Sequence, residues 1–276
     1  MRIDSHQHFW SLQRGDYHWL TPALDTLYRD FLPPDLQPML QAAGVQRTIL
    51  VQAAASVAET EYLLSLAGKQ AFIAGVVGWV DMDDPTTALD DLRRLRENDS
   101  LLGVRPMIQD IADPDWMLRD HLMPVFEQLI ASNLRFDALV LPAHLKNLRR
   151  LLDRHPRLAC VIDHAAKPAI ASASWQPWAD DMVALAASTN CYCKLSGLLT
   201  EAGARTDDDA LRPYVEHLLA CFGAQRLMWG SDWPVLTLAS RYGDWVQQSE
   251  RLLRHLGSVD QEAIFGATAK DFYGLD

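Results

Sequence analysis

Ile3-Asp4-Ser5-His6-Gln7-His8 ends the first apolar run of the chain, and its reading sets the organisation of everything after it. Successive side chains on a strand point to opposite faces. His6 and His8 therefore project together, roughly 7 Å apart at ~3.3–3.4 Å of rise per residue. Two imidazoles so placed can converge on one ion or one substrate group, although a structural histidine pair uses the same spacing.

Seven further apolar, β-branched-rich runs follow, at 47–52, 72–80, 101–107, 134–141, 158–164, 191–196 and 227–232, which with 2–8 makes eight expected strands. Runs such as Thr48-Ile49-Leu50-Val51 and Ala159-Cys160-Val161-Ile162 lack alternation, as expected of parallel strands covered by helices. Helical patterns separate them. Leu122, Val125, Phe126, Leu129 and Ile130 fall on one face, as do Leu211, Val215, Leu218, Leu219 and Phe222, with Gly223 placed as a stop. Pro34 and Asp35 open a helix through Leu40 with Gly44 after it, and further helices are expected at 60–69, 86–97, 142–154, 176–188 and 241–255.

Eight strands alternating with helices, without a break in composition, read as an α/β fold of the (β/α)8 barrel type forming a single domain over 1–276. A doubly wound open sheet is the alternative, but no Gly-X-Gly-X-X-Gly follows the first strand. The loop at 9–32 is unusually long and carries Phe9, Trp10, Tyr17, His18, Trp19 and Tyr28. It reads either as a lid or as a surface excursion packed by its own aromatics.

Composition sets outer limits. Of the 276 residues 49% are hydrophobic and 22% charged, which is ordinary for a globular protein with a sizeable core. The net charge of -11 argues against nucleic acid and anionic membranes as partners. No basic start with an apolar region behind it and no window of ~20 apolar residues is present, so a cytoplasmic protein is expected. Cys160, Cys191, Cys193 and Cys221 lack the spacing of a zinc ribbon or redox pair and read as reduced, buried side chains.

In barrels of this kind chemistry collects at the C-terminal ends of the strands. Polar residues stand there on strand after strand: His6 and His8 on the first, Arg105 on the fourth, His164 on the sixth, Lys194 and Ser196 on the seventh, Asp232 on the eighth. A charged group ending a buried strand is costly unless paired or functional. Each also has a plainer reading: a turn cap for Asp232, an ion-pair partner for Arg105, a core histidine for His164, a barrel-wall ion pair for Lys194. His144, just past the fifth strand, either reaches the mouth or starts a helix. Trp10, Trp79 and Trp233 lie beside strand ends, where a flat apolar face could stack on a sugar ring or simply fill core.

These motifs resemble the amidohydrolase superfamily. The similarity rests on Ile3-Asp4-Ser5-His6-Gln7-His8-Phe9-Trp10, Gly75-Val76-Val77-Gly78-Trp79-Val80-Asp81, Val161-Ile162-Asp163-His164 with Lys167-Pro168, Lys194-Leu195-Ser196-Gly197-Leu198 and Trp229-Gly230-Ser231-Asp232-Trp233-Pro234-Val235. Their order and spacing are those of the amidohydrolase-2 group, in its sugar-lactonase branch of L-fuconolactonase and L-rhamnonolactonase type. The resemblance implies hydrolysis of a small-molecule sugar lactone, with Asp232 activating water and His164 and Arg105 assisting. It implies one divalent ion, zinc, on His6, His8 and Asp232, an ion that some members of the branch do without. Substrate contacts are expected from Trp10, Trp79, His144, Lys194 and Trp233. Binuclear members bridge their ions with a carboxylated lysine or a glutamate on the fourth strand, whereas this strand ends in Arg105, so a single ion is the expectation. The alternatives are a metal-dependent decarboxylase of an aromatic or enol acid on the same fold and a non-catalytic sugar-acid binding barrel. Oligomeric state is left open.

Overall fold

The computed structural model describes all 276 residues. Eight parallel strands lie in chain order around one sheet: β1 Ile3–Gln7, β2 Arg47–Val51, β3 Ile73–Gly78, β4 Leu101–Val104, β5 Arg135–Ala138, β6 Cys160–Ile162, β7 Tyr192–Leu195 and β8 Leu227–Trp229. The sheet closes between its first and last strands. Gln7 bridges Trp233 in parallel, the His8 N–H donates to the Trp233 carbonyl at 2.7 Å and the Asp232 N–H to the His6 carbonyl at 2.8 Å. The expected (β/α)8 barrel is the observed fold.

Helices follow the strands: α1 Pro33–Ala43, α2 Val57–Ala67, α3 Pro85–Leu95, α4 Met123–Ala131, α5 Leu145–Arg154, α6 Trp178–Ser188, α7 Asp208–Phe222 and α8 Tyr242–Leu253. Local chemistry sets their ends. Ser56 accepts from the Glu59 N–H at 3.0 Å, which starts α2 earlier than apolar periodicity alone suggests. Gly44 closes α1 in the left-handed region. A helical stretch completes the chain, with Ser258–Glu262 and Thr268–Tyr273 flanking a π-helical turn at Ala263–Ala267.

Apolar side chains form two bodies. The larger fills the space between strands and helices. The smaller brings together Ile3, Ile49, Val51, Val77, Val161 and Met228 from five strands, closed by Phe272 and Tyr273, and so plugs the barrel interior from below. Above this plug the interior turns polar. No helix is long and apolar enough to cross a membrane.

The strands are shorter than the apolar runs. β6 stops at Ile162 because His164, Ala165, Ala166 and Lys167 all take left-handed backbone angles, with φ between 52° and 56°. The loop at 9–32 is tied at its base by paired backbone hydrogen bonds between Trp10 and Phe31, both 3.0 Å.

Candidate active site

The floor of the barrel mouth is built by groups from β1, β4, β6 and β8. His6 Nε2 lies 3.2 Å from His8 Nε2, and the Asp232 carboxylate oxygen Oδ1 lies 3.3 Å from His8 Nε2 and 3.9 Å from His6 Nε2. His164 Nε2 approaches the same oxygen at 3.8 Å, and Arg105 brings a guanidinium nitrogen to 3.4 Å from His6 Nε2. All five are buried. The sequence expectation that His6, His8, Arg105, His164 and Asp232 gather at one place matches this geometry.

Each of these side chains is held from behind. Nδ1 of His8 meets the Val51 carbonyl at 2.8 Å, which makes it the protonated nitrogen and leaves Nε2 a lone pair directed into the site. Nδ1 of His6 faces Asp163 Oδ1 at 3.4 Å. His164 Nδ1 pairs with Ser196 Oγ at 2.9 Å, and its ring occupies space left by Gly197, where a Cβ would lie 2.6 Å from Nδ1. Arg105 donates to the Gln52 carbonyl while Gln52 Nε2 donates back to the Arg105 carbonyl at 2.6 Å, clamping β2 to β4.

Beneath the floor lies a charged layer. Lys194 Nζ sits 2.5 Å from Asp137 Oδ2, 3.0 Å from Asp163 Oδ1 and 3.1 Å from His6 Nδ1. Tyr273 also donates to Asp137 Oδ2, at 2.8 Å. Burial pushes the Asp163 carboxyl up, but Lys194, His6 and Arg105 outweigh it and hold the group well below the usual carboxylate range. Asp137 moves the other way, to about 6, because burial exceeds the attraction of Lys194.

Asp232 is likewise kept ionised: burial opposes the charge, and His164, His8 and His6 together overcome it. Burial lowers His164 to about 4, with Asp232 partly compensating, so its imidazole is neutral near pH 7. His6 is driven well below its ordinary value, again chiefly by burial.

Above these groups is a cavity of about 250 Å³ whose lining includes His8, Trp19, Arg105, His164, Lys167 and Asp232. Gln109 and Asp110 supply further polar groups, and Met107, Leu139 and Val235 an apolar wall. Trp19 reaches the cavity from the long loop and is anchored by its indole N–H on the Ala53 carbonyl at 2.7 Å. A groove of about 660 Å³ between α1 and α8 is larger, but it gathers no comparable set of titratable groups.

The expected substrate contacts from Trp10, Trp79, His144, Lys194 and Trp233 need correction, since none of the five lines this cavity. Trp10 is fully buried, donates to the Arg29 carbonyl at 2.9 Å and packs on Phe31 and Trp19. Trp233 packs between Phe9 and Phe31, so both tryptophans fasten the base of the long loop. Trp79 is half-buried and has its backbone N–H and carbonyl bound by Thr60. His144 uses Nδ1 to accept the Leu141 N–H at 3.1 Å, capping the turn before α5. Lys194 is fully buried in the charged layer, which is the barrel-wall ion pair.

Sequence reading missed Trp19, Gln109, Lys167 and Asp163. The last two stand in the same motif as His164; strand alternation would send Asp163 to the opposite face, but β6 has ended at Ile162 and both side chains reach His6. Trp19 carries only the signal of its long loop, which reads either as a lid or as a surface excursion; the fold-back of that loop is what brings it to the mouth.

The donor set meets the spacing that a divalent ion requires. Bonds of ~2.0–2.2 Å in tetrahedral array space ligand atoms by about 3.4 Å. The separations of 3.2, 3.3 and 3.9 Å among His6, His8 and Asp232 suit one ion with a position open to the cavity. The Arg105 guanidinium beside His6 disfavours a second cation.

Comparison with known proteins agrees with this architecture. The chain is 47% identical to an L-fucono-1,5-lactonase of Burkholderia ambifaria over 100% of its own length and 96% of the relative's. It is 37% identical to an L-fucono-1,5-lactonase of Burkholderia multivorans, with the same shares covered. A crystal structure of an amidohydrolase from Burkholderia multivorans with bound zinc superposes with a TM-score of 0.93 at 37% identity, each chain covered over 100%. The amidohydrolase family model matches residues 3–275. Spanned by that match almost from end to end, the chain belongs to the amidohydrolase family.

Proposed function

We propose that the chain hydrolyses a monocyclic sugar lactone, L-fucono-1,5-lactone or an aldonolactone of related stereochemistry, to the open sugar acid. The observation that carries this reading is the ionised Asp232 carboxylate facing three imidazoles, with the Arg105 guanidinium beside one of them, on the floor of a small cavity. The names of the two lactonase relatives support it. A cavity of about 250 Å³ lies below the ~300–1,000 Å³ usual for drug-sized ligands and suits a single ring.

Opening a cyclic ester requires a proton acceptor for the attacking water, donors for the developing oxyanion and a proton for the leaving ring oxygen. Asp232 accepts the water's proton and returns it to the ring oxygen as the C–O bond breaks. Arg105 donates to the carbonyl oxygen as it gains charge. His164, neutral and tied to Ser196, orients the water or a ring hydroxyl. Trp19 offers a face to the C–H side of the ring, and Lys167, Gln109 and Asp110 take its hydroxyls. His6, His8 and Asp232 would hold the divalent ion, zinc being the one their mixed nitrogen and oxygen donors favour, and when bound it polarises the carbonyl and acidifies water.

The test is a pH-indicator screen of aldonolactones on protein prepared with and without chelator, alongside measured zinc content. The reading predicts proton release with at least one aldonolactone. Hydrolysis of none, by protein of verified fold and metal content, would overturn it.

A further inference from the structure

We propose that Trp178, a residue outside the cavity, is a positioning residue that holds His164 and Lys167 in place by fixing the left-handed turn between them. The proposal rests on the lactonase reading above for its kinetic consequences, but its geometry stands independently. His164, Ala165, Ala166 and Lys167 are four consecutive non-glycine residues at positive φ, closed by a hydrogen bond from the Lys167 N–H to the His164 carbonyl at 2.8 Å. L-residues enter this region reluctantly and almost never in succession, because Cβ crowds the following carbonyl. Such a turn persists only where its surroundings over-determine it. Both of its ends, His164 and Lys167, line the cavity.

Three anchors hold the turn from outside. Ser196 takes the His164 ring, Glu201 faces Lys167 Nζ at 3.5 Å, and Trp178 donates its indole N–H to the Ala165 carbonyl at 2.8 Å. The last is the one that grips the middle of the turn by its backbone. Trp178 is itself immobilised at the start of α6, its ring packed against those of Trp175, Tyr214 and His217. A rigid helical layer thus dictates the backbone of a strained segment at the mouth. Loss of the indole donor lets the turn relax toward ordinary angles and carries His164 and Lys167 out of register together.

The experiment compares wild type with Trp178→Phe and with Trp178 replaced by β-(3-benzothienyl)alanine, which keeps the indole shape without its N–H. Each is also made in an Ala165→Gly, Ala166→Gly background, where glycine accepts positive φ without penalty. The expected result is a lower kcat and a raised KM, with kcat/KM down about tenfold, the equivalent of one buried hydrogen bond. Shifted His164 imidazole resonances should accompany it, and both changes should largely reverse in the glycine background. Unchanged kinetics and unchanged resonances in the benzothienyl variant would overturn the proposal, as would losses that glycine does not restore. If wild type opens no aldonolactone, the functional reading fails, and the His164 resonances alone decide for or against the positioning role.

Discussion

Asp232 donates its backbone N–H to the carbonyl of His6 at 2.8 Å, while its carboxylate lies 3.3 Å from Nε2 of His8. Barrel closure and assembly of the candidate site are therefore one structural event: the bonds that join β8 to β1 also set the Asp232 carboxylate against the histidine pair. Asp232 takes φ of 60° there, a left-handed conformation that Asp tolerates better than most side chains. On the outer side of this seam, Asp4 accepts from the Ser231 N–H at 2.8 Å, the His6 N–H at 3.2 Å and the Tyr242 hydroxyl at 3.1 Å.

Asp4→Ala should consequently loosen the seam. Three donors lose one acceptor in a buried place, at ~1–3 kcal/mol for each group left unpaired. A loss of about 2–5 kcal/mol in urea-unfolding free energy is expected. Asp4→Asn, which keeps one acceptor oxygen, should lose less. Equal stability of the alanine variant and wild type would contradict this account of the seam.

Asp232→Asn removes the proton acceptor and leaves the shape. Lactone hydrolysis is expected to fall by about 10²–10⁴-fold, with the circular-dichroism spectrum unchanged. An asparagine variant retaining wild-type kcat would remove Asp232 from the proposed chemistry.

Gly197→Ala tests how tightly His164 is placed. The added methyl would lie 2.6–2.7 Å from atoms of the imidazole ring, at a residue whose φ is 65°. Displacing a catalytic group by about 1 Å can cost ~10²-fold, so kcat should drop on that order. Steady-state kinetics decide the point, and a variant within twofold of wild type would show that the ring has room to move.

Lys194→Met leaves Asp137 and Asp163 facing each other without their cation. Removing one partner from a buried charge set costs about 3–5 kcal/mol. A second change, Asp137→Asn, should recover part of that loss. Denaturant titration of the single and double variants provides the measurement, and additive losses would mean the charged layer is not coupled as its distances suggest.

The His164 imidazole gives a pH signature. Its folded value of about 4 lies below the ordinary 6.5, so between these limits the unfolded chain binds a proton that the folded protein refuses. Acidification through that window therefore favours unfolding, by up to about 3 kcal/mol from this group. His164→Asn lacks the effect, so its stability relative to wild type should improve as pH falls from 6.5 to 4. Parallel pH–stability curves for the two proteins would rule this out.

Much of this architecture was legible in the chain. The apolar runs at 48–51 and 159–162 announce parallel strands, and polar residues at strand ends, His6, Arg105, His164 and Asp232 among them, mark the mouth. Tryptophans were misread for a physical reason. Adjacency to a strand end places Trp10 and Trp233 near the mouth, but their faces turn toward Phe31 and the loop base, a direction fixed by long-range packing.

The sequence by itself determined the fold and five residues of the floor, His6, His8, Arg105, His164 and Asp232, because strand periodicity and the C-terminal-end rule act locally along the chain. Only the tertiary structure decided that Lys194 lies buried between two aspartates, that Trp19 folds back over the cavity, and that His164 rides on a left-handed turn. Those outcomes depend on contacts between residues far apart in the chain, Lys194 with Asp137, Trp19 with Ala53 and Trp178 with Ala165. No local pattern specifies which partner each side chain will meet.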